Sequence, residues 1–426
     1  MDPRRAEIPP AKLISALRRY DLLPAIVFLP TRRRCDESAT AAATDRSQPF
    51  NDQKERARLE IFKVFSELHP EIIGHKHTKT LLRAGVAAHH AGHIPAWKLL
   101  IEKMMSAGLL DAIFATSTVA AGVDFPARSV VISNADTRGN EGWRPLTANE
   151  LQQMTGRAGR RGRDNVGFVI LAPGQFQHPR KIADLLRSPP DRLESRFRAT
   201  YTSLLNLLDA FGNFAQVRDI TDKSFAFRST RPGGKRLRSD EVWQQFEDRS
   251  LVLDHLGYLN RKAEKVTDEG KWLADLRIDR PLLVGEALRS GIFSELQPKE
   301  MAALIASVAA DSDRNYGEMH TSRNVEDLLS YFDGIIISVA KVEWRFGVEP
   351  DETVNYSAAA AAERWAQGMD WDELVDRTRA EEGDLVRLLS RTGEALRQIA
   401  GLRSSNAPAA AIAAAAAEAM LREPVR

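Results

Sequence analysis

Five short apolar runs that alternate with helical patterns constrain the fold of this chain more than any other feature. The runs are Pro24–Leu29, Val86–His90, Asp111–Thr116, Ser129–Ser133 and Val166–Leu171. Helical patterns separate them, notably at 52–68 and 95–106, and a short helix at Ala11–Tyr20 precedes them. Short apolar runs joined by helices are typical of a parallel sheet with helices on both faces. We predict such an α/β domain at about 21–183, after a lead-in at 1–20.

After residue 183 the pattern becomes helical. One apolar helical stripe consists of Phe197, Tyr201, Leu204, Leu205 and Leu208. A basic loop at 229–239 comes before a small helix-and-wing pattern, Val252–Leu259 and Val266–Leu276. From Pro281 onward the sequence predicts only helices, at 281–290, 298–309, 324–344, 355–367, 371–378, 383–403 and 407–420. We therefore assign 184–278 to a connecting helix with a winged-helix-like region, and 279–426 to an all-α domain.

Composition excludes some classes of protein. The 426 residues carry a net charge of only +2, so any nucleic-acid site must come from local clustering of charge. Cys35 is the single cysteine, so there is no internal disulfide and no cysteine-based zinc site. No apolar stretch is long enough to cross a membrane, and the N-terminus lacks the apolar run of a signal peptide. We expect a cytoplasmic protein with no membrane partner.

The segment Gln153–Gly162 is the strongest candidate for chemistry. Gln153, Arg157 and Arg160 are spaced i, i+4 and i+7, so on a helix they would share one face. Gly156 and Gly159 remove side-chain bulk between them, and arginine offers a planar fork of donors that suits phosphate oxygens. The alternative interpretation is a solvated, arginine-rich surface turn.

Polar residues also follow two of the predicted strands. Thr116 and Thr118 could donate hydrogen bonds to phosphates. Gly122 allows a tight turn, and Asp124 could accept from a ribose hydroxyl. Ligands of parallel sheets bind beyond the C-terminal ends of strands, where the predicted loop Thr31–Arg34 also lies. The alternative for the segment after Thr116 is an ordinary helix cap and turn.

Histidines at 75, 77, 89, 90 and 93 raise the question of a metal site. His89 and His90 are adjacent at a strand end, so their side chains should point in opposite directions. No carboxylate or cysteine partner has ligand spacing nearby. We therefore expect no metal site in this chain.

Three of these motifs together resemble a known family. His89–Gly92, Ala115–Ala127 and Gln153–Gly162 occur in that order and look like the second motor lobe of superfamily-two DExH-box helicases. The resemblance is to the superkiller-type RNA helicases associated with the exosome. Pro281–Ala310 and Glu382–Ile399 are similar to the C-terminal helical domain of that family. The resemblance implies a RecA-like lobe, a winged helix and an all-α ratchet domain.

The resemblance also implies roles for single residues. Gln153 would help position ATP, with Gly156 beside it. Arg157 and Arg160 would reach the β- and γ-phosphates, with Arg160 as the arginine finger. Gly122 and Asp124 would lie against the ribose, although Asp124 replaces an asparagine that is common in close relatives.

Further residues would contact a single nucleic-acid strand. The resemblance assigns backbone contacts to Thr31, Arg32, Thr116 and Thr118. In the helix at 383–403, which resembles the ratchet helix, it assigns strand contacts to Arg387 and Arg391. The family favours RNA over DNA, while an amphipathic helix with a solvated face is the alternative for 383–403.

The motifs of a first motor lobe are missing from the sequence. The nearest approach to a phosphate-binding loop is Gly234-Lys235, but Arg236 follows it and it follows no strand. The Asp-Glu pairs at 36–37, 240–241, 351–352 and 372–373 do not follow apolar strand runs. We therefore expect a first lobe, in cis or in trans, to supply the Mg²⁺ ligands, and the isolated chain to be inactive. The expected function is part of an ATP-dependent RNA helicase; the alternative is an inactive nucleic-acid-binding protein or partner subunit.

Overall fold

A computed structural model of the chain describes residues 7–44, 51–120, 127–139, 142–174, 176–191, 199–223 and 239–426. The chain divides into two compact units. The first contains residues 1–192 together with the short segment Glu381–Asp384. The second contains residues 193–380 and 385–426.

The first unit contains a parallel five-stranded sheet with the strand order β2-β3-β1-β4-β7. Its strands are β1 (Ala25–Phe28), β2 (Val86–His89), β3 (Ala112–Ala115), β4 (Ser129–Ile132) and β7 (Phe168–Leu171). The predicted parallel sheet and its five strands are thus confirmed. A separate antiparallel hairpin, β5 (Asp136–Gly139) and β6 (Gly142–Pro145), was not predicted because it contains no apolar run.

Helices surround this sheet in the first unit. They are α1 (Pro10–Arg19), α2 (Arg32–Ala43), α3 (Asp52–Leu68), α4 (Thr78–Ala84), α5 (Pro95–Ser106), α6 (Ala148–Thr155) and α7 (Pro179–Arg187). The predicted helices at 11–20, 52–68 and 95–106 are confirmed as α1, α3 and α5.

The prediction of a loop at Thr31–Arg34 is wrong, because α2 begins at Arg32. The Thr31 hydroxyl accepts a hydrogen bond from the Arg34 backbone N–H at 3.3 Å and so caps the helix. Cys35, Ala39 and Ala42 recur at i, i+4 and i+7 and are fully buried. This stripe holds α2 against the sheet.

One face of the sheet is covered by α1 and α2. Alternate residues of β1, Ala25 and Val27, point to this face together with Phe114 of β3. Leu13, Ile14 and Leu17 of α1 and the small residues of α2 pack against them. The packing fixes the start of α2 at the C-terminal end of β1.

The second unit is mainly helical. Its helices are α8 (Tyr201–Phe211), α9 (Phe214–Lys223), α10 (Ser239–His255), α11 (Asp268–Asp275), α12 (Pro281–Ser290), α13 (Pro298–Ala309), α14 (Arg323–Arg345), α15 (Tyr356–Ala366), α16 (Trp371–Thr378), α17 (Glu382–Ala400, whose first three residues belong to the first unit) and α18 (Ala407–Met420). A two-stranded hairpin, β8 (Leu259–Asn260) and β9 (Lys265–Val266), lies between α10 and α11. The seven helices predicted after Pro281 are confirmed. The predicted stripe at Tyr201–Leu208 is buried in α8, whereas Phe197 and the loop at 229–238 lie outside the described residues.

Alanine determines the packing of the second unit. Residues Ala358–Ala362 of α15 are all fully buried, and α13 and α18 pack against this helix. Side chains this small let helix backbones approach closely and cost little conformational entropy. The alanine-rich segment 407–420 is accordingly a packed helix. Nowhere in the described ranges is a helix both long and apolar enough to cross a membrane.

Candidate nucleotide and nucleic-acid site

The segment Gln153–Gly162 is only partly helical. Helix α6 ends at Thr155 with Gln153 exposed on it, so Arg157 and Arg160 lie beyond the helix. The prediction that these three side chains share one helical face is therefore wrong. The chain leaves the helix because Ala158 pairs with Ala127 in a parallel β-bridge.

Backbone hydrogen bonds fix this bridge. The Ala127 N–H donates to the Arg157 carbonyl at 2.9 Å, and the Gly159 N–H donates to the Ala127 carbonyl at 2.7 Å. Gly159 has φ +91°, a conformation that favours glycine. A Cβ atom on Gly167 would lie 2.4 Å from the Ala158 carbonyl oxygen. Glycine at 159 and 167 thus lets the backbone at Ala158–Gly159 touch the backbone at Gly167.

Asp164 holds the side chain of Arg160. Its Oδ2 accepts from Arg160 Nε at 2.7 Å, and its Oδ1 accepts from Arg160 Nη2 at 2.9 Å. The Arg160 backbone N–H and Arg128 Nη1 donate to the same carboxylate, both at 2.9 Å. Hydrogen bonds from Arg160 outweigh burial and keep the pKa of Asp164 well below its usual range. Asp164 is therefore an ionised partner of two arginines.

Two of the residues predicted to contact a nucleic-acid strand, Thr31 and Thr116, lie at the C-terminal end of the sheet. Phe28 of β1 and Ala115 of β3 are paired in register, so Thr31 and Thr116 both follow the same end of adjacent strands. The hydroxyls of Thr116 and Thr118 lie 2.8 Å apart, and Thr118 is exposed. Residues Ser117–Ala120 form a 3₁₀ turn. Gly122 and Asp124, predicted to contact ribose, lie outside the described residues.

Arg32 is paired with acids inside the first unit. Its Nη1 donates to Asp384 at 2.8 Å and also contacts Glu381. The Gly383 N–H donates to the Gly92 carbonyl at 2.9 Å, so the same short segment contacts the His89–Gly92 motif. These carboxylates neutralise Arg32, whose contact with a nucleic-acid strand remains a prediction.

The histidines form a buried cluster around Asp36 of α2. Asp36 Oδ1 lies 2.9 Å from His77 Nε2, 3.1 Å from His90 Nε2 and 3.3 Å from His93 Nε2. His89 instead points to Glu102 of α5, so the prediction of opposite directions for His89 and His90 is confirmed. No carboxylate has ligand spacing to these histidines along the sequence, but folding brings Asp36 to them from a distant helix.

Two geometric features of this cluster fit hydrogen bonding better than metal ligation. The Gly92 N–H donates to His90 Nδ1 at 3.2 Å, so in neutral His90 the proton is on Nε2, the atom that faces Asp36. A ligating histidine needs the opposite arrangement. The rings of His90 and His93 also stack with centroids 3.9 Å apart, whereas the rings of two ligands on one tetrahedral ion diverge. Asp36 is thus the acceptor of a histidine hydrogen-bond cluster.

In the second unit, the predicted strand-contact arginines of α17 meet carboxylates. Arg391 Nη1 lies 2.7 Å from Asp311 Oδ1, and its Nη2 contacts Asp279. Arg387 Nη2 lies 3.4 Å from Asp311 Oδ2. This side of α17 borders an open cavity of about 270 Å³ with an apolar floor that includes Ile305 and Val308. Arg391 of the predicted polar face thus lines a groove.

Comparison with known proteins finds one matching domain family and several related helicases. Residues 263–426 match the DSHCT (NUC185) domain. The chain is 38% identical over 209 residues to the chloroplastic DExH-box ATP-dependent RNA helicase DExH15 of Arabidopsis thaliana. It is 35% identical over 230 residues to superkiller complex protein 2 of Mus musculus, and 36% identical over 248 residues to the ATP-dependent RNA helicase mtr4 of Schizosaccharomyces pombe. The chain is a relative of the superkiller-type DExH-box RNA helicases.

The match to these helicases is partial on both sides. The three alignments cover 48%, 52% and 57% of this chain, in the same order. They cover 17%, 18% and 22% of the helicases. The chain thus spans about a fifth of the length of these helicases, and we treat their activities as a proposal for this chain.

The sequence patterns did not identify two residues of the site, Asp164 and Asp36. Asp164 had a visible signal, because it stands four residues after Arg160 in a basic segment. Asp36 had none, because only the folded sheet brings α2 beside His90 and His93.

Proposed function

We propose that this chain supplies the second RecA-like lobe, a winged-helix-like region and the helical ratchet domain of an ATP-dependent RNA helicase. Within a complete motor it would couple ATP hydrolysis to translocation along a single strand and to unwinding. The observation that carries this proposal is the Gln153–Gly162 segment. There Arg160 is braced by Asp164 yet remains partly exposed beside a RecA-like parallel sheet, in a chain with a DSHCT domain.

The ATP side of the proposal rests on what these residues can donate. Arg157 and Arg160 offer guanidinium groups to phosphate oxygens, and exposed Gln153 offers an amide to the nucleotide. Gly156 is exposed beyond the end of α6, where a ligand can approach, whereas a Cβ atom on Gly159 would meet the Gly167 backbone at 3.2 Å. Bound ATP supplies the γ-phosphoryl group that is transferred to water. Asp164, the carboxylate beside Arg160, is engaged by two arginines, so we assign the Mg²⁺ ligands to a first lobe.

The proposed binding of a single nucleic-acid strand rests on two surfaces, one in each unit. In the first unit, Thr31, Thr116 and Thr118 place hydroxyls at the C-terminal end of the sheet. There they can donate hydrogen bonds to the phosphates of a single nucleic-acid strand. In the second unit, Arg391 borders the groove beside α17, and Arg387 lies one turn away on the same helix, 3.4 Å from Asp311. Contacts with backbone phosphates and with stacked bases depend little on sequence, so we expect general single-strand binding.

The test is binding of a fluorescently labelled single-stranded RNA to the purified chain at several salt concentrations. We expect salt-sensitive binding that is weakened about tenfold by Thr116→Ala with Thr118→Ala, and about tenfold by Arg391→Ala. Arg397→Ala is the matched control for α17, because Arg397 is exposed and pairs with Glu394 on the same helix. Binding that none of these variants changes would contradict the proposed strand contacts. Competition with single-stranded DNA of the same sequence tests the preference for RNA.

A further inference from the structure

Arg160 is gripped along one edge of its guanidinium group. Asp164 accepts from Nε and from Nη2, at 2.7 and 2.9 Å. A guanidinium group carries five N–H bonds, and this side-on grip uses two of them. Both N–H bonds of Nη1 and one of Nη2 point away from Asp164. The Arg160 side chain is 22% exposed, and these three N–H bonds are the ones that its ion pair with Asp164 leaves for an incoming anion.

Asp164 is itself held from the opposite side. Its side chain has no exposed surface, and Arg128 Nη1 donates to its Oδ1 at 2.9 Å. Arg128 also pairs with Asp21 at 3.1 Å. The neighbour of Arg128, Ala127, forms the β-bridge to Ala158. The carboxylate therefore sits at a fixed point relative to the backbone of the Arg157–Arg160 turn.

This arrangement addresses a difficulty for any arginine finger. A long, flexible side chain loses rotamer entropy when it is held in one place, and a finger out of place loses most of its effect. A bidentate partner that leaves the opposite edge of the fork available removes that flexibility before the nucleotide arrives.

We infer that Asp164 is the positioning residue of Arg160, holding its guanidinium group so that the edge containing Nη1 meets the γ-phosphate. The inference rests on the proposed function, because it needs Arg160 to act as the finger. Asp164 itself contacts neither the nucleotide nor the attacking water in this account. Its effect on hydrolysis passes entirely through Arg160.

The experiment is a double-mutant cycle in the complete motor, in which the chain works with its first lobe. The variants are Asp164→Asn, Arg160→Ala and the two together, with Asp219→Asn as a control that removes an exposed ion pair with Lys223. We expect Asp164→Asn to lower kcat about 10²-fold, with the KM for ATP and the RNA affinity nearly unchanged. In the Arg160→Ala background the same substitution should have no further effect.

The outcomes separate this inference from the proposed function. Unchanged kcat in Arg160→Ala refutes the finger itself. A large loss in Arg160→Ala with wild-type kcat in Asp164→Asn refutes the positioning role alone. Additive effects of the two substitutions, or equal losses in kcat, RNA affinity and thermal stability, would show that Asp164 acts on the fold. If Asp164→Asn does not fold, Asp164→Glu keeps the charge and shifts the oxygens, and the same loss confined to kcat is expected.

Discussion

Asp36 and His90 are 54 positions apart in the chain, yet the His90 Nε2 atom lies 3.1 Å from Asp36 Oδ1. His77 and His93 approach the same oxygen, and Lys76 lies 2.9 Å from the other. The cluster joins α2, whose first turn carries Thr31 and Arg32, to the His89–Gly92 motif.

Asp36→Asn should destabilise the first unit by about 2–3 kcal/mol. The amide has one acceptor oxygen and no charge, so it cannot satisfy the donors that converge on the carboxylate. The free energy of unfolding in denaturant gives the value. Glu37→Gln is the control, because Glu37 is exposed in the same turn of α2 and should change stability by less than about 0.5 kcal/mol. Equal effects of the two substitutions would mean that the cluster contributes nothing to stability.

The same cluster predicts a loss of stability on mild acidification. Burial lowers the pKa of His75 to about 2 and that of His93 to about 3, from 6.5. Below pH 6.5 the unfolded chain therefore binds more protons than the folded chain. The free energy of unfolding therefore decreases as the pH is lowered. Burial alone would raise the pKa of Asp36, but hydrogen bonds from His77, His90 and His93 outweigh it, so Asp36 stays ionised in this range.

One such histidine should account for about 2 kcal/mol of lost stability between pH 7 and pH 5. The measurement is the free energy of unfolding at both pH values for the wild type and for His93→Gln. The difference between the two pH values should be smaller in the variant by about this amount. The same pH dependence in both proteins would show that His93 titrates normally in the folded chain.

Gly167→Ala should displace the Arg157–Arg160 turn. The new Cβ would lie 2.4 Å from the Ala158 carbonyl oxygen and 2.7 Å from the Gly159 nitrogen, and backbone atoms cannot move aside cheaply. We expect a loss of about 2 kcal/mol in stability. We also expect reduced ATP hydrolysis in a complete motor. Gly174→Ala is the matched control, because among the described residues its Cβ would meet the Ser133 carbonyl oxygen alone, at 3.7 Å. If Gly167→Ala behaves like this control, the contact does not constrain the turn.

Arg58→Lys should destabilise the first unit although the charge is kept. The Arg58 guanidinium donates to the carbonyls of Leu82, Leu109 and Arg83, at 2.7, 2.9 and 3.0 Å. A lysine ammonium group cannot reach all three, so partly buried acceptors lose their donors at a cost of about 2 kcal/mol. Thermal or denaturant unfolding measures the loss. Arg56→Lys is the control on the same helix, since Arg56 is 79% exposed; a similar loss there would remove the explanation.

Local sequence patterns predicted the strands and helices well where a stretch of sequence has one continuous apolar or helical pattern. The five strands are apolar runs, and α13, α15 and α18 have continuous helical patterns with clear starts at proline or asparagine. Helix α2 was missed because three arginines open it and its buried face consists of small residues. The hairpin β5–β6 was missed because exposed strands leave no apolar signal.

The roles of the predicted site residues remain predictions, whereas their predicted geometry was wrong. The motifs named Gln153, Arg157 and Arg160, but the helical spacing suggested one shared face. The β-bridge between Ala127 and Ala158 ends that helix. Because these two residues are 31 positions apart, the local sequence does not show where the helix ends. Asp36 acts through contacts between elements, which a pattern of spacings along one element does not contain, whereas Asp164 stands only four residues after Arg160.

The most direct test of the account is ATP hydrolysis, with and without single-stranded RNA, by a complete motor that contains this chain and a first lobe with a phosphate-binding loop. The comparison is between wild type and Arg160→Ala. We expect the substitution to lower kcat at least about 10³-fold and to leave RNA affinity unchanged. Turnover equal to the wild type in Arg160→Ala would contradict the claim that this chain completes the ATP site.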